Sequence, residues 1–171
     1  MIPNFAAYLA TLSHCEGTDR AADPYRCCYK FIHVIQSFAY HPAERRPPDN
    51  EPEWKGESIA DLGPEYVGEV STAAGRLQIN LPTYLDNKRQ MLGVIGFDPA
   101  TQNDIGINII RRLGALDDVR NGAIADAMFK CRNTWASLPG GRSHQPERSV
   151  QYFLDHYAAA GGALKVSVAV A

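Results

Sequence analysis

With 171 residues, 45% of them hydrophobic and 21% charged, the chain has the length and composition of a single globular domain with its own core. A formal net charge of −2 argues against nucleic acid as a partner held by bulk electrostatics. No apolar run approaches the roughly 18 residues of a membrane span, and no secretory leader pattern opens the chain, so the expectation is cytoplasmic synthesis without a signal peptide and without stable membrane insertion.

At about 100° per residue, Phe5, Leu9, Leu12 and Glu16 share one face of a helix over residues 5–19. The first three belong against a core, and Glu16 continues their stripe. Gly17 follows as a C-cap, which sets the acid at the last turn beside unpaired carbonyls. Burial and the negative helix end both disfavour the carboxylate and raise its pKa. A proton held near neutral pH is what a general acid needs, so Glu16 is the candidate catalytic residue. The plain alternative is an exposed glutamate fraying from a helix end.

Residues 20–30 lose the helical period, and residues 29–38 are rich in β-branched and aromatic side chains, which predicts a short strand or hairpin arm. Residues 41–66 carry Pro42, Pro47, Pro48, Pro52 and Pro64 among charges, and read as an irregular lip outside the core. Ser71, Thr72, Ala73, Ala74 and Gly75 allow close backbone approach, and the alternation that follows predicts a strand over 75–78. Gln78 and Asn80 offer amides suited to sugar hydroxyls and acetamido groups; the competing view is an ordinary edge strand.

Pro82 suits the first turn of a helix whose apolar side is Leu81, Tyr84, Leu85 and Leu92. Asp98 and Pro99 open the next helix, with Ile105, Ile109 and Leu113 before Gly114. Ile124, Ala127, Met128, Cys131 and Trp135 repeat at helical spacing until Pro139, Gly140 and Gly141. Val150, Phe153, Leu154, Tyr157 and Ala158 mark a last helix closed by Gly161 and Gly162, ahead of an apolar tail over 164–171. The expected architecture is α+β: one domain over 1–171, mostly helical, with a small β region and the long irregular loop.

Cys15, Cys27, Cys28 and Cys131 show no paired C-x-x-C spacing, so neither a zinc site nor any other metal is expected. His14, His33, His41, His144 and His156 accompany no nucleophile signature, and no phosphate-binding glycine loop is present, so no organic cofactor is expected. A glycosidase of the two-carboxylate type needs a partner for Glu16. Asp19, Asp23, Asp49, Glu51, Glu53, Glu57 and Asp61 are the candidates, and none is singled out by spacing.

Glu16-Gly17-Thr18-Asp19, the run from Ser71 through Gln78, and Trp135-Ala136-Ser137-Leu138-Pro139-Gly140 together resemble the lambda-type phage endolysin family. Residues 97–102 and 112–116 extend the resemblance in the same order. The match thins between 29 and 71, where this chain is longer and Lys30 stands in place of an acid. The resemblance implies a lysozyme-like fold, with the irregular loop beside the cleft. It implies a lytic transglycosylase that cleaves the β-1,4 bond between N-acetylmuramic acid and N-acetylglucosamine in peptidoglycan and leaves 1,6-anhydro ends. Glu16 would then be the single acid and base, and Ser71, Gly75, Arg76, Gln78 and Asn80 would bind the glycan strand. A monomer, made in the host cytoplasm and acting on the wall from the periplasm, is the expected working form. The alternatives are a hydrolytic muramidase using a second carboxylate and water, and a non-catalytic peptidoglycan-binding protein.

Overall fold

Phe5, Leu9 and Leu12 are buried where the helical spacing puts them, along α1 (Pro3–Glu16). Each such side chain contributes about 1.5–3 kcal/mol through burial. The computed structural model describes residues 2–91, 93, 96–141 and 147–165. The chain divides into two compact units, one of Met1–Glu16 with Ile107–Ala171 and the other of Gly17–Gly106.

In the first unit α1 is buried well beyond its predicted stripe, with Ala7, Tyr8, Thr11, Ser13 and Cys15 also enclosed. It packs on α4 (Leu116–Asn121) and α6 (Val150–Ala159), and α4 packs in turn on α5 (Ile124–Cys131). The Tyr8 and Phe153 rings meet with centroids 5.2 Å apart. Asn4 ties the start of α1 to two other segments: its Nδ2 donates to the Arg120 carbonyl at 3.0 Å, and its Oδ1 accepts from the Ala163 amide at 2.9 Å. Gly122 follows α4 at φ +75, where a side chain would strike the Ala163 carbonyl. The Ser149 hydroxyl caps α6 by accepting from the Tyr152 amide, and Phe153 and Tyr157 are buried as their spacing predicts.

The helix expected to reach Trp135 ends at Cys131, and Trp135 is buried in the turns that follow. Helix α4 went unread because its six residues are mostly polar. Leu92, His144 and residues 166–171 of the apolar tail lie outside the described residues.

The second unit has little regular structure before α2 (Leu81–Gln90) and α3 (Pro99–Arg112), which runs on past its boundary. Strands β1 (Glu57–Ser58) and β2 (Val70–Ser71) pair antiparallel, Glu57 opposite Ser71. Asp98 caps α3 by accepting from the Thr101 amide at 2.9 Å, and Pro82 sits in the first turn of α2, both as expected. On α2 the buried positions are Tyr84 and Asn87; Leu81 and Leu85 are only partly covered. His41, Tyr84 and Phe97 form an aromatic cluster with centroids 4.7–5.5 Å apart.

Residues 29–38 form a hairpin arm only at Val34, which pairs antiparallel with Cys27, with the Ile35 amide donating to the Arg26 carbonyl at 2.8 Å. Lys30 and Phe31 adopt φ of 61° and 59°, and a 3-10 turn at Tyr29–Phe31 replaces extended backbone before it. Residues 75–78 are likewise a turn, closed by reciprocal bonds between Ala74 and Ile79 at 3.0 and 2.8 Å, with Gly75 and Gln78 at positive φ. The proline-rich segment is irregular, as its prolines require, yet His41, Ala43 and Trp54 within it are buried.

Candidate active site

Helix α1 stops at Glu16 because Gly17 turns left-handed at φ 75°. Glu16 as a residue is half-buried, and its carboxyl is surrounded by protein. The Ser137 hydroxyl donates to Glu16 Oε1 at 2.6 Å, and the Ser137 backbone also hydrogen-bonds the carboxyl. Burial raises the Glu16 pKa; the Ser137 bonds and the charge of Arg148 oppose that rise without cancelling it. Glu16 is thus a carboxylic acid that holds its proton above the ordinary carboxyl range, with one oxygen oriented by a fixed donor.

Ser137 is itself well placed to be rigid. Trp135 and Leu138 are buried on either side, the Leu138 amide donates to the Trp135 carbonyl at 3.0 Å, and the Arg148 amide donates to the Ser137 carbonyl at 2.9 Å. Sequence reading passed over Ser137, since it reaches Glu16 from 121 positions away. The only trace of it was its membership of the run from Trp135 to Gly140.

The residues expected to bind glycan lie in the second unit, within 71–80. Ser71 is on β2, with its Oγ accepting from the Ala73 amide at 3.2 Å. Gly75 has φ +71, and a Cβ there would collide with the Gln102 carboxamide. Arg76 donates to Tyr25 Oη at 3.0 Å and Asn103 Oδ1 at 3.3 Å, while its amide donates to Gln102 Oε1 at 2.9 Å. Gln78 donates through Nε2 to the Gly75 carbonyl at 3.1 Å. Asn80 is the N-cap of α2: its Oδ1 accepts from the Thr83 amide at 3.0 Å.

The loop carboxylates have other employment. Asp61 accepts from Lys30 Nζ at 2.7 Å, which holds its pKa below the usual range. Glu53 accepts from the Gln36 amide at 2.7 Å and lies 3.0 Å from His33 Nε2. Glu57 accepts from Trp54 Nε1, Glu51 pairs with Lys55, and Asp23 accepts from the Tyr25 amide.

All four cysteines are buried as thiols rather than joined in disulfides. Burial pushes Cys27 and Cys131 up to about 11 and Cys28 further, so none of these three is a poised nucleophile. The His14 and His156 rings lie against each other, centroids 4.5 Å apart. His41 is buried neutral, with Nε2 donating to the Ile79 carbonyl at 2.9 Å and Nδ1 accepting from the Ala43 amide. Among the described residues no cluster of three or more histidine, cysteine or acidic groups converges to hold a metal, and no helix is long and apolar enough to cross a membrane.

Residues 6–164 match the family model described as Endolysin. The endolysin of Escherichia phage P2 is 43% identical over 95 residues, 56% of this chain and 57% of its own length. The endolysin of Escherichia phage lambda is 36% identical over 95 residues, 56% of this chain and 60% of its own. The matched stretch therefore spans less than two thirds of either relative. Among solved structures, bacteriophage lambda lysozyme complexed with a chitohexasaccharide superimposes with a TM-score of 0.75 at 26% identity, covering 96% of this chain and 98% of that one. A second lambda lysozyme structure gives 0.71 at 24% identity over 96% and 98%. The α+β, lysozyme-like fold expected from the sequence is the fold found, and the chain belongs to the endolysin family.

Proposed function

We propose that this protein is a lytic transglycosylase of peptidoglycan in which Glu16 serves as both acid and base. The observation that carries this reading is the Glu16 carboxyl, raised in pKa by burial and oriented by Ser137 at 2.6 Å. Protonated Glu16 donates to the glycosidic oxygen as the bond to C1 of N-acetylmuramic acid breaks. The Glu16 carboxylate then takes the proton of the C6 hydroxyl as that oxygen bonds to C1. The proton returns to Glu16, no water is consumed, and the product carries a 1,6-anhydro ring. Intramolecular attack needs neither an enzyme nucleophile nor a second carboxylate, because the C6 hydroxyl is already tethered beside C1.

Two further observations support this reading. Asp61, Glu53, Glu57, Glu51 and Asp23 are each engaged in ion pairs or hydrogen bonds, which disfavours these five as a base for water. The similar lambda lysozyme holds a chitohexasaccharide, a neutral β-1,4 glycan. On this reading Ser71, Arg76 and Gln78 contact the strand, while Gly75 and Asn80 act through the shape of the turn and the start of α2. The enzyme works as a monomer, is made in the host cytoplasm, and meets the wall after release into the periplasm. Turbidity of purified cell walls tests the assignment: wild type clears the suspension and Glu16→Gln does not. A Gln variant that clears walls at the wild-type rate removes Glu16 from the mechanism.

A further inference from the structure

Phe31 is a bulky aromatic residue at φ 59°, directly after Lys30 at φ 61°. Two successive side-chain-bearing residues in the left-handed region are strained, and such strain persists only where surrounding bonds enforce it. Here they do. The Tyr29 amide donates to the Ala73 carbonyl at 2.8 Å, and the Phe31 amide donates to the Cys28 carbonyl at 2.9 Å. Lys30 Nζ is drawn aside to the Ser58 carbonyl at 2.8 Å and Asp61 at 2.7 Å.

This arrangement does not bury the ring. Phe31 remains 50% exposed, and its Cζ lies 3.9 Å from where a Cβ on Gly17 would stand. The tip of an open aromatic ring therefore lies beside Gly17, on the side where a side chain there would project. An aromatic held in the open by a strained backbone gains nothing for the core, so the strain needs another recipient.

We infer that Phe31 is a substrate-stacking residue whose ring covers the apolar C–H face of a pyranose in the glycan strand. The inference rests on the glycan-cleaving reading above. A flat ring supplies contact area with only two side-chain torsions to immobilise, and a hexopyranose presents axial C–H groups that match it while its hydroxyls stay at the rim. Held against the ring, the sugar is fixed in register, which favours reaction over mere binding.

The test uses the Glu16→Gln protein, expected to bind without cleaving, titrated with an N-acetylglucosamine hexamer by calorimetry. Adding Phe31→Gly or Phe31→Leu should weaken binding by about fivefold or more, and Phe31→Trp should keep it within about twofold. Glycine accepts a positive φ, so Phe31→Gly should leave Tm unchanged or raise it, which separates lost stacking from lost folding. Hexamer affinity unchanged in Phe31→Gly, or full affinity retained in Phe31→Leu, overturns the stacking role. A shift in self-association or vesicle binding with unchanged hexamer affinity does the same. If the Glu16→Gln parent itself binds no glycan, the glycan-cleaving reading falls and takes this inference with it.

Discussion

The Ser137 hydroxyl lies 2.6 Å from Glu16 Oε1 and is the fixed donor that orients the acid. On the proposed mechanism Ser137 acts through Glu16 as a positioning residue, setting both the direction of the carboxyl and its affinity for its proton. Replacing Ser137 with Ala removes a bond that favours the ionised form. The Glu16 pKa should then rise further, moving the alkaline limb of the pH–rate profile upward, while kcat falls about tenfold from the loss of a charge-assisted hydrogen bond. A fall in kcat with the alkaline limb unmoved would mean that Ser137 supports the fold only.

Glu16 also sets a pH dependence of stability. Its raised pKa means that the folded state disfavours ionisation, so stability falls as pH rises from the ordinary carboxyl value of 4.5 through the raised one. Glu16→Gln carries no such penalty. Thermal melting should find the variant more stable than wild type at about pH 8, with the gap closing by about pH 4. An equal gap at both ends would show that ionisation of Glu16 is not the cause.

His41 gives a slope of the opposite sign. Burial lowers its pKa from 6.5 to about 4, so its contribution is complete above 6.5 and is lost as pH falls to about 4. The loss amounts to about 3 kcal/mol over that interval. His41→Gln should flatten this part of the stability curve. Chemical denaturation at several pH values measures it, and an unchanged slope in the variant would rule out His41 as the titrating group.

Gly75 is expected to tolerate no side chain. Gln102 donates to the Tyr25 and Phe97 carbonyls at 3.0 and 2.7 Å and accepts from the Arg76 amide, so it has little freedom to retreat from a new methyl group. Together with the φ of +71, Gly75→Ala should cost about 2–4 kcal/mol, seen as a lower denaturation midpoint. A midpoint within error of wild type would show that the Gln102 contact yields.

How much of this was legible in the sequence depends on how local each signal is. The Phe5, Leu9, Leu12 and Glu16 spacing and the Gly17 stop lie within one helix, and they single out Glu16 as the candidate acid without help from the rest of the chain. Ser137 was invisible to the same reasoning, because no periodicity links residues 121 positions apart. Of the strand or hairpin arm expected over 29–38 only the pairing of Val34 with Cys27 forms, because β-branched and aromatic side chains signal extended backbone while bonds to Ala73, Ser58 and Asp61 accompany a turn with Lys30 and Phe31 at positive φ. Alternation over 75–78 misled in the same way: a turn closed by Ala74 and Ile79 has the polar–apolar pattern of a strand without its conformation. Asn80 offers a sugar-binding amide in the sequence, and the structure adds a second role for it, since its Oδ1 caps α2. The burial of His41 and Trp54 was hidden by the prolines around them, which forbid regular structure and say nothing about depth.

The product decides whether Glu16 works alone. Peptidoglycan digested to completion, reduced with borohydride and read by mass spectrometry distinguishes the two chemistries, since reducing ends take up hydrogen and 1,6-anhydro rings do not. Attack by the tethered C6 hydroxyl predicts new muramic acid ends that are predominantly anhydro, lighter by one water than hydrolytic ends and inert to borohydride. A digest dominated by reducible muramic acid would contradict the single-carboxyl mechanism, even with Glu16 confirmed as essential.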